Sequence, residues 1–167
     1  IDCSRLKHTL VGGALDLKKY IREVPNFPKQ GISFKDITPL LNQPIAFRYV
    51  IDKFAEICSL WDIGVIVGVE SRGFIFGAPL AGTLQKPFVP VRKAGKLPYT
   101  TSRVEYSLEY DDSVLEIHTD AISLGDRVVI VDDLLATGGT LQASSKLVRQ
   151  IGGNVVIHIV VVELVGL

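Results

Sequence analysis

The sequence is poor in cysteine, carries no surplus of either charge and has no apolar run long enough to cross a membrane, and each absence removes a class of protein. Only two of 167 residues are cysteines, Cys3 and Cys58. Their separation suits neither a metal-ligand pair nor a secreted disulfide scaffold, so both are expected to be inert thiols in a reducing compartment. Eighteen Lys plus Arg balance eighteen Asp plus Glu. No global basic field therefore gathers nucleic acid or an anionic membrane, and an anion must be caught by a local site. The richest apolar stretch, NVVIHIVVVELVGL, is too short for a span and contains His158 and Glu163. No basic, apolar, small-residue signal pattern is found at the N-terminus. His8, His118 and His158 are scattered without ligand spacing, so no preformed metal site is expected. These features predict a soluble cytoplasmic protein with no nucleic-acid or membrane partner. At this length, one compact domain (1–167) can bury a sufficient core without disulfides or a structural metal.

What is present is a pattern of alternating elements. Ser4 is placed to cap an early helix, and ALDLKKYIREV is the better helical candidate before Pro25. PNFPKQGISFKDITP, rich in proline and glycine, is expected to be an ordered loop. PIAFRYVIDKFAEICSLW opens with Pro44 and sets Phe47, Val50, Ile51, Phe54 and Ile57 on one side, a helical period. IGVIVGV (63–69) is continuously apolar and branched, as suits a strand buried on both faces. PFVPVR, RVVIVD and NVVIHIVVV repeat that texture, with helical FIFGAPLAGTL and TLQASSKLVRQIGG between them. Strands alternating with helices predict an α/β fold, a central, mainly parallel twisted sheet flanked by helices. Residues 92–119 change to polar, aromatic and β-branched residues and are expected to form a long hairpin or flap.

The chemistry concentrates in VVIVDDLLATGGT (128–140). Asp132 and Asp133 stand at the carboxyl end of an apolar strand, where open parallel sheets bind their ligands. The following turn has glycines that let several N–H groups point inward, and the helix starting near Leu141 adds a positive terminus; Thr137 and Thr140 add hydroxyl donors. An aspartate before a loop is often only a cap, and Gly-Gly only a turn. Two adjacent carboxylates beside a phosphate cradle, however, repel each other unless something binds them, and a diol supplies donors to acceptor-only carboxylates. The stretch lacks the lysine of the kinase-type phosphate loop and the glycine placement of the dinucleotide fingerprint. Similarly, Ser71 and Arg72 follow a buried strand, where backbone N–H groups and a guanidinium can grip a diphosphate. Arg92, Lys93 and Lys96 lie in a glycine-loosened stretch that, taken alone, is equally a solvated basic edge.

The 128–140 stretch resembles the signature of the type I phosphoribosyltransferases, which bind 5-phosphoribosyl-1-pyrophosphate (PRPP). FPKQGISFKDITP, VGVESRGFIFG, VRKAGKLP and YSLEY resemble the adenine-specific branch, in the family's order over nearly the whole chain. The resemblance implies the family's fold, with an N-terminal hood segment (1–40) over the base and the flap at 92–119. It implies phosphoribosyl transfer from PRPP to adenine, giving AMP and pyrophosphate in purine salvage, with Mg2+ arriving on PRPP and held mainly by phosphates and water.

By the same resemblance, Asp132 and Asp133 meet the ribose hydroxyls, and Ala136, Thr137, Gly138, Gly139 and Thr140 cradle the 5′-phosphate. Ser71, Arg72, Arg92, Lys93 and Lys96 meet the pyrophosphate. Glu109 is the catalytic carboxyl that manages the purine proton, and Tyr106 and Tyr110 belong to the closing flap. Backbone at Ser33 reads the adenine edge beside Phe34 and Lys35, and Leu134 packs on the purine face. Ser33 stands where the family usually has an aliphatic residue, and Lys35 where some members carry arginine. A homodimer is also implied. Two alternatives are weaker: a transferase for another base, since Ala136 replaces the acid of the hypoxanthine and guanine enzymes, and a PRPP-sensing regulator, since no DNA-binding module is evident.

Overall fold

The computed structural model describes residues 15–108 and 111–164. The described residues fall into two compact units, 15–53 and 54–164.

In the first unit a 3-10 turn, Leu17–Tyr20, is capped by Asp16, whose carboxylate accepts the Lys18 N–H at 3.2 Å. Strand β1, Arg22–Pro25, then pairs antiparallel with β2, Ser33–Asp36. This corrects two expectations. The predicted helix over 14–24 is only that single turn, because Pro25 forces extended backbone on the residue before it and Ile21 and Val24 are β-branched. The predicted loop over 25–39 contains β2: its proline and glycine mark the turn, where Asn26 and Gly31 have φ of 59° and 90°, rather than the absence of a strand. Phe27 and Phe34 pack edge to face at 5.2 Å, and Glu23 and Lys35 form a cross-strand ion pair. Asp36 accepts both the amide and the hydroxyl of Thr38, which opens the short helix α1, Thr38–Leu41. Helix α2, Pro44–Ser59, starts at the proline as predicted and continues into the second unit. The early helix assigned to Ser4 lies outside the described residues.

The second unit is a six-stranded sheet in the order β5-β6-β4-β3-β7-β8. Its strands are β3, Val65–Val69; β4, Phe88–Lys93; β5, Thr101–Leu108; β6, Asp111–His118; β7, Arg127–Leu135; and β8, Asn154–Glu163. β4, β3, β7 and β8 are parallel, whereas β5 and β6 form an antiparallel hairpin that joins the sheet through β4. All five residues of β3 are buried, as a continuous apolar run requires at the centre of a covered sheet. Each such Val or Ile contributes about 1.5–3 kcal/mol on burial. Helix α3, Arg72–Leu84, links β3 to β4, and helix α4, Gly139–Gln150, links β7 to β8. Chain leaving the adjacent strands β3 and β7 therefore departs in opposite directions, which opens a crevice between their carboxyl ends. Phe54 in the last turns of α2 meets Phe76 of α3 at 6.3 Å. At the far end of α4, Gln150 accepts a hydrogen bond from Ser102 at the start of β5, 3.0 Å long. Among the described residues no helix is long and apolar enough to cross a membrane.

Candidate active site

The crevice is a cavity of about 590 Å³ in the second unit. It brings together Ser71, Arg72, Lys93, Lys96, Tyr106 and every residue from Asp132 to Thr140. Its floor is the end of β7. Asp132 and Asp133 are 9% and 3% exposed, and the Asp133 amide donates to Asp132 Oδ1 at 2.9 Å. Burial, then the neighbouring charge of Asp133, pushes the Asp132 carboxyl up to about 7 despite the opposing charge of Arg72. Arg72 Nε lies 2.7 Å from Asp133 Oδ2. That contact is a charge pairing out of hydrogen-bond alignment, since this buried oxygen accepts no hydrogen bond from any described residue. The acid pair is thus half-compensated and has capacity for donors from a ligand.

Arg72 is held there by glycine. A Cβ on Gly73 would lie 2.5 Å from the Val131 carbonyl and 3.2 Å from Asp132 Cα. Only a residue without one lets the first turn of α3 lie flush against the end of β7. On the other side, Gly138 precedes α4 with φ of 86°, a backbone state natural to glycine. It turns the chain so that the first amides of α4, which have no intrahelical acceptor, border the cavity. Ser144 and Ser145 hydroxyls donate back to the Thr140 and Leu141 carbonyls within α4 at 2.8 and 2.9 Å.

The opposite rim is the loop after β4, and it is organised by two acids that residue typing overlooks. Glu70, at the end of β3, accepts the Lys93 amide at 2.9 Å and Arg92 Nε at 3.1 Å through Oε2. Arg92 also donates to the Lys96 carbonyl at 3.2 Å, and it is not among the residues lining the cavity. Glu116 on β6 accepts the amides of Lys96 and Leu97 at 2.9 and 3.0 Å. Burial works against both charges. The Lys93 amide with Arg92 and Lys96 nevertheless holds Glu70 below the usual carboxylate range, and the amides of Leu97, Gly95 and Lys96 with Arg103 do so for Glu116. Glu70 had a signal, since it ends an apolar strand as Asp132 does. Glu116 had none, because an acid on an alternating strand ordinarily faces water.

Ser33, Phe34 and Lys35 are on β2 in the first unit. Glu109 and Tyr110 lie outside the described residues, between β5 and β6. His118 accepts the Tyr99 amide at 3.4 Å, and His158 pairs with Ser145 at 2.6 Å, its basicity lowered by burial and by Arg149. Among the described residues no three His, Cys, Asp or Glu side chains cluster to hold a metal.

Residues 36–164 match the family described as the phosphoribosyl transferase domain. A curated relative, adenine phosphoribosyltransferase of Acetivibrio thermocellus, is 57% identical over 151 residues, which are 90% of this chain and 88% of the relative. The crystal structure of the Rhodothermus marinus adenine phosphoribosyltransferase superposes with a TM-score of 0.84 at 51% identity, covering 90% of this chain and 85% of that one. The Saccharomyces cerevisiae enzyme, crystallised with an imino-altritol bisphosphate and adenine, gives 0.84 at 44%, covering 89% and 86%.

Proposed function

The chain belongs to the phosphoribosyl transferase family, and from that premise we propose that it transfers the 5-phosphoribosyl group of PRPP to adenine, releasing AMP and pyrophosphate. The observation that carries this is the conjunction, in one cavity, of two buried adjacent carboxylates with a glycine turn that opens a helix. Relatives more than half identical over nine-tenths of the chain bear the same activity in their names.

Each residue has a task that follows from its chemistry. Asp132 and Asp133 accept the 2′ and 3′ hydroxyls of the ribose, which fixes the anomeric carbon relative to both substrates. The loop Ala136–Thr140 takes the 5′-phosphate on backbone amides and hydroxyls. Lys93 and Lys96, with the Ser71 backbone, offset the charge that grows on the departing pyrophosphate. Arg72, paired with Asp133, supplies further positive potential to the same end. Displacement at the anomeric carbon passes through an oxocarbenium-like state, so positioning and charge stabilisation supply most of the rate. Glu109 exchanges the purine proton, and Tyr106 and Tyr110 help exclude water that would hydrolyse the activated sugar. Ser33, Phe34, Lys35 and Leu134 read the base.

A magnesium ion carried by PRPP suits this donor set. Among the described residues the carboxylates bordering the cavity are Glu70, Asp132 and Asp133, too few for a protein cage, so most of the ion's ligands would come from phosphate oxygens and water. When bound, the ion neutralises charge on the leaving group. A cytoplasmic homodimer completes the proposal.

The test is incubation with PRPP and Mg2+ and, in turn, adenine, hypoxanthine, guanine or orotate, followed by chromatography of the nucleotides. AMP is expected from adenine alone. Faster product formation from another base, or none from adenine, overturns the assignment.

A further inference from the structure

The basic loop between Lys93 and Thr101 has little regular structure of its own. Its main chain is tied to β6 at its edges, by the Ala94 amide on the Val114 carbonyl at 3.0 Å and the Thr119 amide on the Thr100 carbonyl at 3.1 Å. Between those points the amides of Lys96 and Leu97 go to Glu116, and that of Tyr99 to His118. Glu116 and His118 are two residues apart on β6 and so share a face, opposite the one from which Leu115 and Ile117 enter the core. The course of the loop is therefore set by side chains of a neighbouring strand.

Glu116 is the stronger anchor. It has no exposed surface, and a buried carboxylate must have donors for both oxygens. Oε1 accepts the two loop amides, while Oε2 faces Arg103 Nε at 3.2 Å and the Thr101 hydroxyl at 3.4 Å. Arg103 is its direct cross-strand partner on β5, and Arg92 its partner on β4. One carboxylate thus joins the root of the flap hairpin to the loop whose Lys93 and Lys96 line the cavity.

We propose that Glu116 is a positioning residue for the pyrophosphate end of the active site: it pins the main chain at Lys96 and Leu97 so that the two lysines face the leaving group. This rests on the PRPP-dependent transfer proposed above. It separates two ligands that share every other part of the sugar-phosphate site, because PRPP carries a diphosphate and AMP does not. A Glu116 that served only folding would affect both alike.

The experiment is calorimetric titration of PRPP with Mg2+, and separately of AMP, into the full chain and its Glu116→Ala and Glu116→Gln variants. Glu116→Ala is expected to weaken PRPP about tenfold or more while AMP changes less than about twofold. Glu116→Gln, which keeps an acceptor for the two amides, is expected to recover most of the PRPP affinity. Because removing a buried carboxylate can prevent folding, Leu97→Pro supplies an independent arm. It deletes one donating amide on a surface loop, leaves Glu116 in place, and is expected to weaken PRPP and spare AMP. Equal losses for both ligands, or unchanged PRPP affinity in folded Glu116→Ala or Leu97→Pro protein, overturn the role of Glu116 and leave the transferase assignment standing. Failure of the unaltered protein to bind PRPP overturns both.

Discussion

The loop 136–140 and the loop 93–97 border the same cavity, yet the first has no basic side chain and the second presents two lysines. The first is assembled locally: Gly138 turns the chain and the start of α4 supplies the amides. The second is assembled at a distance, by Glu70, just after β3, and by Glu116 from β6. A backbone cradle recognises a group present in substrate and product alike. Lysines on an externally held loop suit a group that is bound, charged further and then released. On the proposed function, the difference separates a permanent grip from one specific to the diphosphate.

The strongest way to break this comparison is to remove what both ends depend on. Replacing Asp132 and Asp133 together by alanine deletes two carboxyl acceptors for the diol and is expected to weaken AMP and PRPP alike, by about a hundredfold or more. Titration of both ligands checks it; survival of AMP binding would place the sugar elsewhere. Next in size, Lys93→Ala with Lys96→Ala is expected to weaken PRPP about tenfold while leaving AMP nearly unchanged, and to flatten the salt dependence of PRPP binding. Parallel loss of AMP would erase the distinction between the two loops. A smaller effect, of about threefold on KM for PRPP, is expected from Glu70→Gln, which loses the charge facing Arg92 but keeps an acceptor for the Lys93 amide. No effect on KM would mean that Glu116 alone carries the loop.

The smallest effect is one of pH on the ligand-free protein. The Asp132 carboxyl is raised from 3.8 to about 7, so between those values the folded state keeps a proton that the unfolded chain has lost. Its contribution to stability therefore falls as pH rises through that window and stays low above it. Asp132→Asn removes the titration. Its melting temperature should gain on the wild type by a few degrees between pH 4 and 8, as differential scanning calorimetry would show. A constant gap between the two would contradict the raised carboxyl.

The same division governs what can be learned from sequence. β3, β7 and β8 are legible because each reads as a branched apolar run, which buries all of β3, most of β7 and the second half of β8, and α4 because its period and terminal glycines agree. Asp132 to Thr140 are contiguous, so their chemistry can be inferred from one stretch. The hairpin of β1 and β2 is not legible, since its strands are four residues each and their pairing is a contact between segments. Glu70 and Glu116 escape notice for the related reason that their importance lies in which distant amides they meet. Arg92, expected at the pyrophosphate, meets Glu70 and the Lys96 carbonyl, partners that composition does not reveal.

Helix α4 touches the active site at one end and, through Gln150, the first residues of the flap hairpin at the other. It therefore works as a ruler of fixed length. Inserting one residue would rotate everything beyond the insertion by about 100° and swing Gln150 away from Ser102, unfastening the hairpin's root while the phosphate cradle stayed whole. Length tolerance in this protein should therefore be denied to the helix.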